Sequence, residues 1–140
     1  MDFKYCLKQG SVKKVPVNTI RAKSLVKSSK QAIETAIEIT IKENTLKTIF
    51  RELYEGLREY VEALGFIKGY KFLNHESMTY FLREILKEES ISNKFDRYRK
   101  LRNGINYYGD DIEIKTVKES INEIPLIIKE LEKYSLEIVV

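Results

Sequence analysis

The sequence contains few of the residues that build most metal and redox centres. Its 140 residues include one cysteine, Cys6, one histidine, His75, and no tryptophan. A single cysteine excludes an internal disulfide, and without a Cys/His cluster a structural zinc site has no ligands. No HExxH motif occurs, and the six glycines are scattered rather than gathered into a phosphate-binding loop. We therefore expect neither a metal nor a cofactor.

Long apolar stretches are also missing. No run approaches the roughly 18–20 residues that a helix needs to cross a bilayer. The first ten residues, MDFKYCLKQG, lack the basic and then apolar pattern of a secretory signal. These absences predict a soluble, cytoplasmic protein with no membrane partner, in which Cys6 is a buried packing residue rather than a reactive thiol.

The charge that is present is unevenly placed. The net charge is +4, yet residues 1–30 contain eight Lys or Arg against Asp2 alone, so the remaining chain carries a net −3. A second basic cluster, residues 94–102, lies within that acidic remainder. Two basic patches on an acidic body predict an anionic partner. A solvated, lysine-rich face is the alternative interpretation of the N-terminal patch.

Apolar residues recur at helical spacing over most of the chain. They predict five helices: one from about residue 20 to 42 capped by Asn18 or Thr19, one ended by Gly65 and Gly69, one capped by Asn74, one closed by Gly109, and one continuing to Leu131 with a kink or break near Pro125. Strand-like alternation is brief, in SVKKVPV and LEIVV. We predict an all-α, antiparallel up-and-down bundle of about five helices, with residues 18–140 as a single domain behind a basic leader, residues 1–17.

The stretch RYRKLRNGINYYG, residues 97–109, carries the most chemistry. On an ideal helix, with about 100° per residue, one side of residues 95–108 faces the core. That side consists of Phe95, Tyr98, Leu101, Ile105 and Tyr108. A neighbouring stripe consists of Arg99, Arg102, Asn103 and Asn106. The helix is therefore predicted to project two guanidinium groups and two amides beside the core.

Three interpretations of this stripe remain open. Guanidinium groups form bidentate hydrogen bonds with phosphate, amides bind base edges, and tyrosines such as Tyr107 stack on bases. This combination favours a nucleotide or RNA site. The same residues could form a buried polar network at a subunit boundary. A solvated strip without a role is the third. Elsewhere, carboxylates pair with Lys or Arg on outward helix positions, and His75, just after a capping residue, is expected to be structural.

The run RKLRNGINYYG, with GYKFLNHE upstream, resembles the HEPN family (higher eukaryotes and prokaryotes nucleotide-binding). The resemblance implies an all-helical bundle that dimerises, and in many members a metal-independent ribonuclease that serves as the toxin of a toxin–antitoxin pair. A small minimal nucleotidyltransferase is the usual partner. The family motif is an arginine, often followed by asparagine, with a histidine about five residues later. In active members two copies of the motif face each other across the dimer.

Arg102 and Asn103 match this motif, but the histidine position is occupied by Tyr107. A phenol with an ordinary pKa near 10 is a poor proton acceptor at neutral pH, whereas an imidazole near 6.5 serves well. On an unbroken helix, Arg102 and Tyr107 would also diverge by about 140°, so we expect them to meet only if the helix loosens or two subunits contribute.

The sequence thus supports three hypotheses. The first is a catalytically impaired, dimeric binding protein whose Arg99, Arg102, Asn103, Asn106 and Tyr107 hold RNA or a nucleotide. The second is a ribonuclease toxin that uses Arg102, Asn103 and Tyr107 as catalytic residues. The third is a structural interaction module, with a nucleotidyltransferase as its partner.

Overall fold

The computed structural model describes residues 1–136 and residue 138, and these form a bundle of helices with one small β-ribbon. Six helices occur in this part of the chain: α1 (Phe3–Gln9), α2 (Thr19–Glu38), α3 (Leu46–Lys68), α4 (Glu76–Tyr80), α5 (Glu89–Tyr108) and α6 (Ile114–Leu131). Two strands, β1 (Val12–Lys14) and β2 (Tyr70–Phe72), pair antiparallel. The predicted all-helical bundle is confirmed. Most of the segment LEIVV, residues 136–140, lies outside the described residues.

Helix α3 is the centre of the bundle because its apolar residues follow a 3–4 spacing and cover most of its circumference. Leu53, Leu57 and Tyr60 are completely buried. Helix α2 runs antiparallel to it, since the residue preceding α2, Asn18, bonds to Phe66 near the end of α3. Helix α5 is antiparallel to α3 as well: Phe50 pairs with Tyr98, and Tyr54, one turn later, pairs with Phe95, one turn earlier. The core therefore lies around α3, against which α2, α5 and α6 all pack.

The contact between α2 and α3 is close because small residues face each other. The Ser29 hydroxyl donates a hydrogen bond of 2.6 Å to the Gly56 carbonyl. A Cβ at Gly56 would lie 2.7 Å from Ile33 Cδ1 and 3.0 Å from the Ser29 carbonyl oxygen. A glycine in the middle of a helix costs stability in itself, so its presence here reflects the helix separation.

Two helix ends differ from the predicted ones. Helix α2 stops at Glu38 rather than near residue 42, because Ile39 is extended and the run from Ile39 to Ile41 is β-branched, which disfavours helix. Helix α3 passes through Gly65 and ends at Gly69, whose φ of 86° closes the helix in the left-handed region. Gly65 serves packing instead, since the Phe72 ring lies against it.

The segment predicted as a basic leader, residues 1–17, belongs to the fold. It forms α1 and β1, which account for the sixth helix and the ribbon. Phe3 is buried and meets the Tyr70 ring edge to face at 5.0 Å. Its backbone NH donates to Glu84 at 3.0 Å. The apolar residues Phe3, Cys6 and Val12 attach the segment to the core, although the abundance of lysines around them favours a solvated leader when the sequence is read alone.

The remaining helices follow the predicted pattern in part. Asn74 accepts a hydrogen bond from the Ser77 NH at 2.9 Å, as expected of a cap, and α4 continues as a π-helical segment, Phe81–Ile85. Helix α6 runs through Pro125 without a break. Within the described residues, no helix is both long and apolar enough to span a bilayer.

The contact at Gly56 can be tested by comparing two glycine substitutions. Gly56→Ala should lower the free energy of unfolding by about 1–3 kcal/mol, because overpacking outweighs the gain in helix propensity. Gly104→Ala, in α5, should be neutral or stabilising, since its Cβ meets only the flexible end of the Asp110 side chain. Urea unfolding of both variants measures the difference. Equal stabilities would show that α2 and α3 are not held at this separation.

Candidate functional site

A cavity of about 380 Å³ opens between α5 and the segment that links β2 to α4. Its walls are Leu73, Asn74, His75, Glu76, Arg99, Arg102, Asn103 and Tyr107. The size lies within the range of about 300–1,000 Å³ typical of small-molecule sites. Four of the five predicted binding residues therefore line one cavity within a single chain.

Arg102 is the cation in this cavity whose charge remains available to an anionic ligand. Its guanidinium carbon lies 5.8 Å from the centre of the Tyr54 ring and 5.8 Å from that of the Tyr107 ring. Its Nη1 donates to the Asn103 side-chain oxygen at 3.3 Å. Within the described part of the chain, Arg102 forms no ion pair. Its charge is thus held in place by aromatic faces and an amide without being neutralised.

The contact between Arg102 and Tyr107 corrects the expectation that the two would diverge. Helix α5 is unbroken from Glu89 to Tyr108, and a single chain supplies both residues. Five residues along a helix correspond to a rise of only about 7.5 Å, which two long side chains can span despite different starting directions.

Arg99 lines the same cavity, but its guanidinium group is paired with a carboxylate. Its Nη2 lies 2.7 Å from Asp96 Oδ1, and Lys100 contacts the other oxygen of that carboxylate at 3.0 Å. Burial would raise the pKa of the Asp96 carboxyl, but hydrogen bonds from Arg99 and Lys100 hold it below its usual range. The carboxylate therefore stays ionised, and Arg99 contributes less positive charge to the cavity than Arg102 does.

His75 enters the cavity from the beginning of α4. Its Nδ1 lies 2.9 Å from the hydroxyl of Tyr54, which is 1% exposed. Burial, followed by the positive charges of Arg58 and Arg102, lowers the pKa of the His75 imidazole to about 4. Burial likewise raises the pKa of the Tyr54 hydroxyl. At neutral pH both groups are uncharged, and Nε2 is the histidine nitrogen left to face a ligand.

Two residues of the predicted helix faces lie elsewhere. Asn106 does not line the cavity; it is exposed and accepts a hydrogen bond of 2.8 Å from Arg51 Nε on α3. Tyr108 was expected in the core but is 81% exposed, because the buried face of α5 ends at Ile105. Asn106 therefore lies beside α3, and Tyr108 lies beyond the buried part of α5.

The wall opposite α5 was not predicted from the sequence. Asn74, His75 and Glu76 lie about 30 residues before Arg102, and local spacing gives no sign that they face it. The available signal was that His75 is the chain's only histidine and follows a capping residue directly. The structural role expected for His75 accounts for its bond to Tyr54, and its ring also lines the cavity.

A larger cavity of about 460 Å³ lies between α5 and the loop after it. Its cations, Arg97 and Lys100, are accompanied by Asp96, Asp110 and Asp111. Arg97 also forms an ion pair with Glu119 on α6 at 3.0 Å. The mixed charge makes this cavity a weaker site for an anion than the one around Arg102.

Compared with protein-family models, with curated proteins and with solved structures, the chain gives no significant match. Among the residues that the structure describes, no group of three or more His, Cys, Asp or Glu side chains is placed to hold a metal ion.

The pKa of His75 can be measured directly because the chain has one histidine. Its Hε1 resonance should titrate in NMR spectra with a midpoint near pH 4. Arg102→Gln should raise that midpoint, since a nearby positive charge is removed. Arg97→Gln, on the same helix but outside this cavity, is the matched control and should leave it unchanged. A midpoint near 6.5 in the native protein would mean that the ring is solvated.

The same pKa shift affects stability in a defined direction. The unfolded chain, with a histidine pKa of about 6.5, binds a proton more readily than the folded one. The contribution of His75 to the free energy of unfolding is therefore complete above about pH 6.5, and it is lost as the pH falls toward 4.

Proposed function

We propose that this chain is an HEPN-like protein of toxin–antitoxin type that binds RNA or a nucleotide, with a phosphate group of the ligand at Arg102. The observation that carries the proposal is the contrast along α5. The cations Lys94, Arg97, Arg99 and Lys100 each have a carboxylate partner, whereas Arg102 has none among the described residues. A guanidinium group kept unpaired in a cavity is suited to a phosphate.

The other walls supply contacts that a nucleotide could use. Asn103 and Asn74 offer amide groups for hydrogen bonds to a base or sugar. Tyr107 lines the cavity and is 69% exposed, so one face of its ring is free to stack on a base. Glu76 is the one carboxylate in the lining, and a carboxylate accepts hydrogen bonds from sugar hydroxyls or a base amine.

The HEPN resemblance extends the proposal to assembly. We propose a cytoplasmic homodimer in which a second copy covers the exposed Tyr108, and for which a small nucleotidyltransferase is the partner protein. Tyr108 is 81% exposed at the end of α5, and a subunit contact would bury its ring.

Binding at Arg102 is tested with a fluorescent uridine monophosphate and a short RNA. Arg102→Gln should weaken both interactions by about 10- to 100-fold, because a charge-assisted phosphate contact is worth about 1.5–3 kcal/mol. Arg97→Gln removes the same charge from the same helix outside the cavity and should change binding by less than about twofold. Equal losses in the two variants would reduce the effect to overall charge, and no loss in either would refute the phosphate site.

A ribonuclease is the second candidate, and the joint placement of His75 and Arg102 favours it. In the tautomer whose Nδ1–H donates to the Tyr54 oxygen, Nε2 of His75 would accept the proton of a ribose 2′-hydroxyl as the 2′-oxygen attacks the phosphorus. Arg102 would stabilise the added negative charge, and the bond to the 5′-oxygen would break, leaving a 2′,3′-cyclic phosphate. The Tyr107 hydroxyl would protonate the departing oxygen. The chain thus holds an imidazole in the cavity although its motif has none.

Cleavage is tested with an RNA substrate in the presence of EDTA. His75→Gln should reduce the rate by about 10²–10⁴-fold, as is typical on loss of a general base, while RNA affinity changes little. The rate of the native protein should persist in mildly acidic solution, because the imidazole stays neutral down to about pH 4. If the native protein binds RNA but yields no cyclic phosphate product, the binding proposal stands alone.

A further inference from the structure

The outward face of the β-ribbon carries two lysines side by side. In the antiparallel register Lys13 lies directly opposite Lys71, between the Val12–Phe72 and Lys14–Tyr70 pairs. Val12 and Phe72 are buried, so the alternation of the strands turns Lys13 and Lys71 to the solvent side. Like charges directly opposite each other destabilise a strand pair. An anionic ligand on this face would remove that repulsion.

This face is continuous with the cavity that contains Arg102. The ribbon extends by one more pair, because the Leu73 NH donates to the Ser11 carbonyl at 2.9 Å. Leu73 is two residues beyond Lys71 and therefore points to the same side of the strand. Leu73 is 52% exposed and forms part of the cavity wall. A ligand that leaves the cavity over Leu73 meets Lys71 and Lys13 next.

Lys71 also lines a second cavity, which contains a further cation. A shallow cavity of about 290 Å³ is lined by Lys71, Arg21, Asn18, Phe66 and residues 15–17, with no carboxylate in its lining. The Arg21 guanidinium lies 5.2 Å from the centre of the Phe66 ring, which fixes its position. None of the exposed cations Lys13, Arg21 and Lys71 forms an ion pair within the described residues. Lys71 thus lines one cavity and is two residues from Leu73 in the wall of the other, and the arginine in each cavity, Arg21 or Arg102, has no ion-pair partner among the described residues.

We propose that the ligand is a single-stranded polynucleotide that has one phosphate at Arg102 and continues over Leu73 and across Lys71 and Lys13 to Arg21. We name this surface the phosphate track. The inference rests on the proposed function, since it takes the phosphate at Arg102 as its starting point, and it narrows the ligand from a nucleotide to a strand of several nucleotides.

The shape of the track favours a flexible strand over the other polyanions. Arg102 is half-buried within a cavity, whereas Lys13 and Lys71 stand on an exposed ribbon. A bilayer surface or a rigid duplex could contact the ribbon, but neither can enter the cavity at the same time. A single strand can bend from one to the other, and it carries phosphates at regular intervals along its length.

The test measures binding of a uridine RNA of about 12 nucleotides, within the range of about 4–16 nucleotides for single-strand sites, at several salt concentrations. The double variant Lys13→Gln/Lys71→Gln should bind this RNA about tenfold more weakly at moderate salt. It should also lower the slope of log K against log salt by about 1.4, since each single-strand phosphate contact contributes about 0.7. Its affinity for uridine monophosphate should change by less than about twofold.

The matched control is Lys115→Gln/Lys118→Gln, which removes the same charge from exposed positions of α6 that line neither of the α5 cavities nor the shallow cavity beside Arg21. It should retain the native RNA affinity and salt slope. Equal losses in the two double variants would refute the track. Unchanged RNA binding in Lys13→Gln/Lys71→Gln would refute it as well. Thermal unfolding, which should show an equal or higher Tm for Lys13→Gln/Lys71→Gln, verifies that the ribbon is intact.

The outcomes separate the track from the proposed function. If Arg102→Gln weakens monophosphate and RNA binding while the ribbon variant weakens neither, the phosphate site stands and the track is refuted. If the RNA binds no better than the monophosphate, the ligand is a mononucleotide and the track is likewise refuted. Binding to phosphatidylserine vesicles in place of RNA would overturn it in favour of a membrane surface. Equal affinity for single-stranded RNA and DNA supports the track and assigns recognition to the phosphates alone.

Discussion

The hydrogen bond between Tyr54 and His75 is the interaction on which both the core and the cavity depend. Tyr54 is 1% exposed, and a phenol buried to that extent is costly unless its hydroxyl is bonded. His75 supplies the partner at 2.9 Å, and Phe95 packs near the same ring at 5.9 Å. The bond joins the central helix α3 to the beginning of α4, and it thereby fixes the wall of the cavity that faces α5.

The Tyr54 ring also helps to position the charged guanidinium group of Arg102. Arg102 lies over Tyr54 on its way into the cavity, so an aromatic face replaces the carboxylate that its neighbours on α5 use. Asp96 is shared by Arg99 and Lys100, Glu119 pairs with Arg97, and Arg102 is the arginine of α5 that has no carboxylate partner among the described residues. The low pKa of His75 follows first from burial and then from the positive charges of Arg58 and Arg102, which leaves a neutral ring beside a cation.

Much of the fold could be predicted from the sequence because helical periodicity is a local property. The apolar spacing of α3 and α6 identified both helices, and Asn74 and Gly109 identified helix boundaries through their capping chemistry. The predictions differ from the structure where contacts between residues far apart in the chain determine a helix end or the packing of a segment. Gly65 resembles a helix end until Phe72 is packed against it, and residues 1–17 resemble a charged leader until Phe3 meets Tyr70.

For the candidate site, the sequence by itself determined one wall. The spacing of Arg99, Arg102 and Asn103 on a helix places them on one stripe whatever the rest of the chain does, since the geometry of a helix is fixed by its own hydrogen bonds. Only the tertiary structure decided which cation has no carboxylate partner among the described residues, that Asn106 turns toward Arg51, and that His75 lines the same cavity as Arg102. These outcomes depend on contacts between elements far apart in the chain, and such contacts are set by the packing of the whole core.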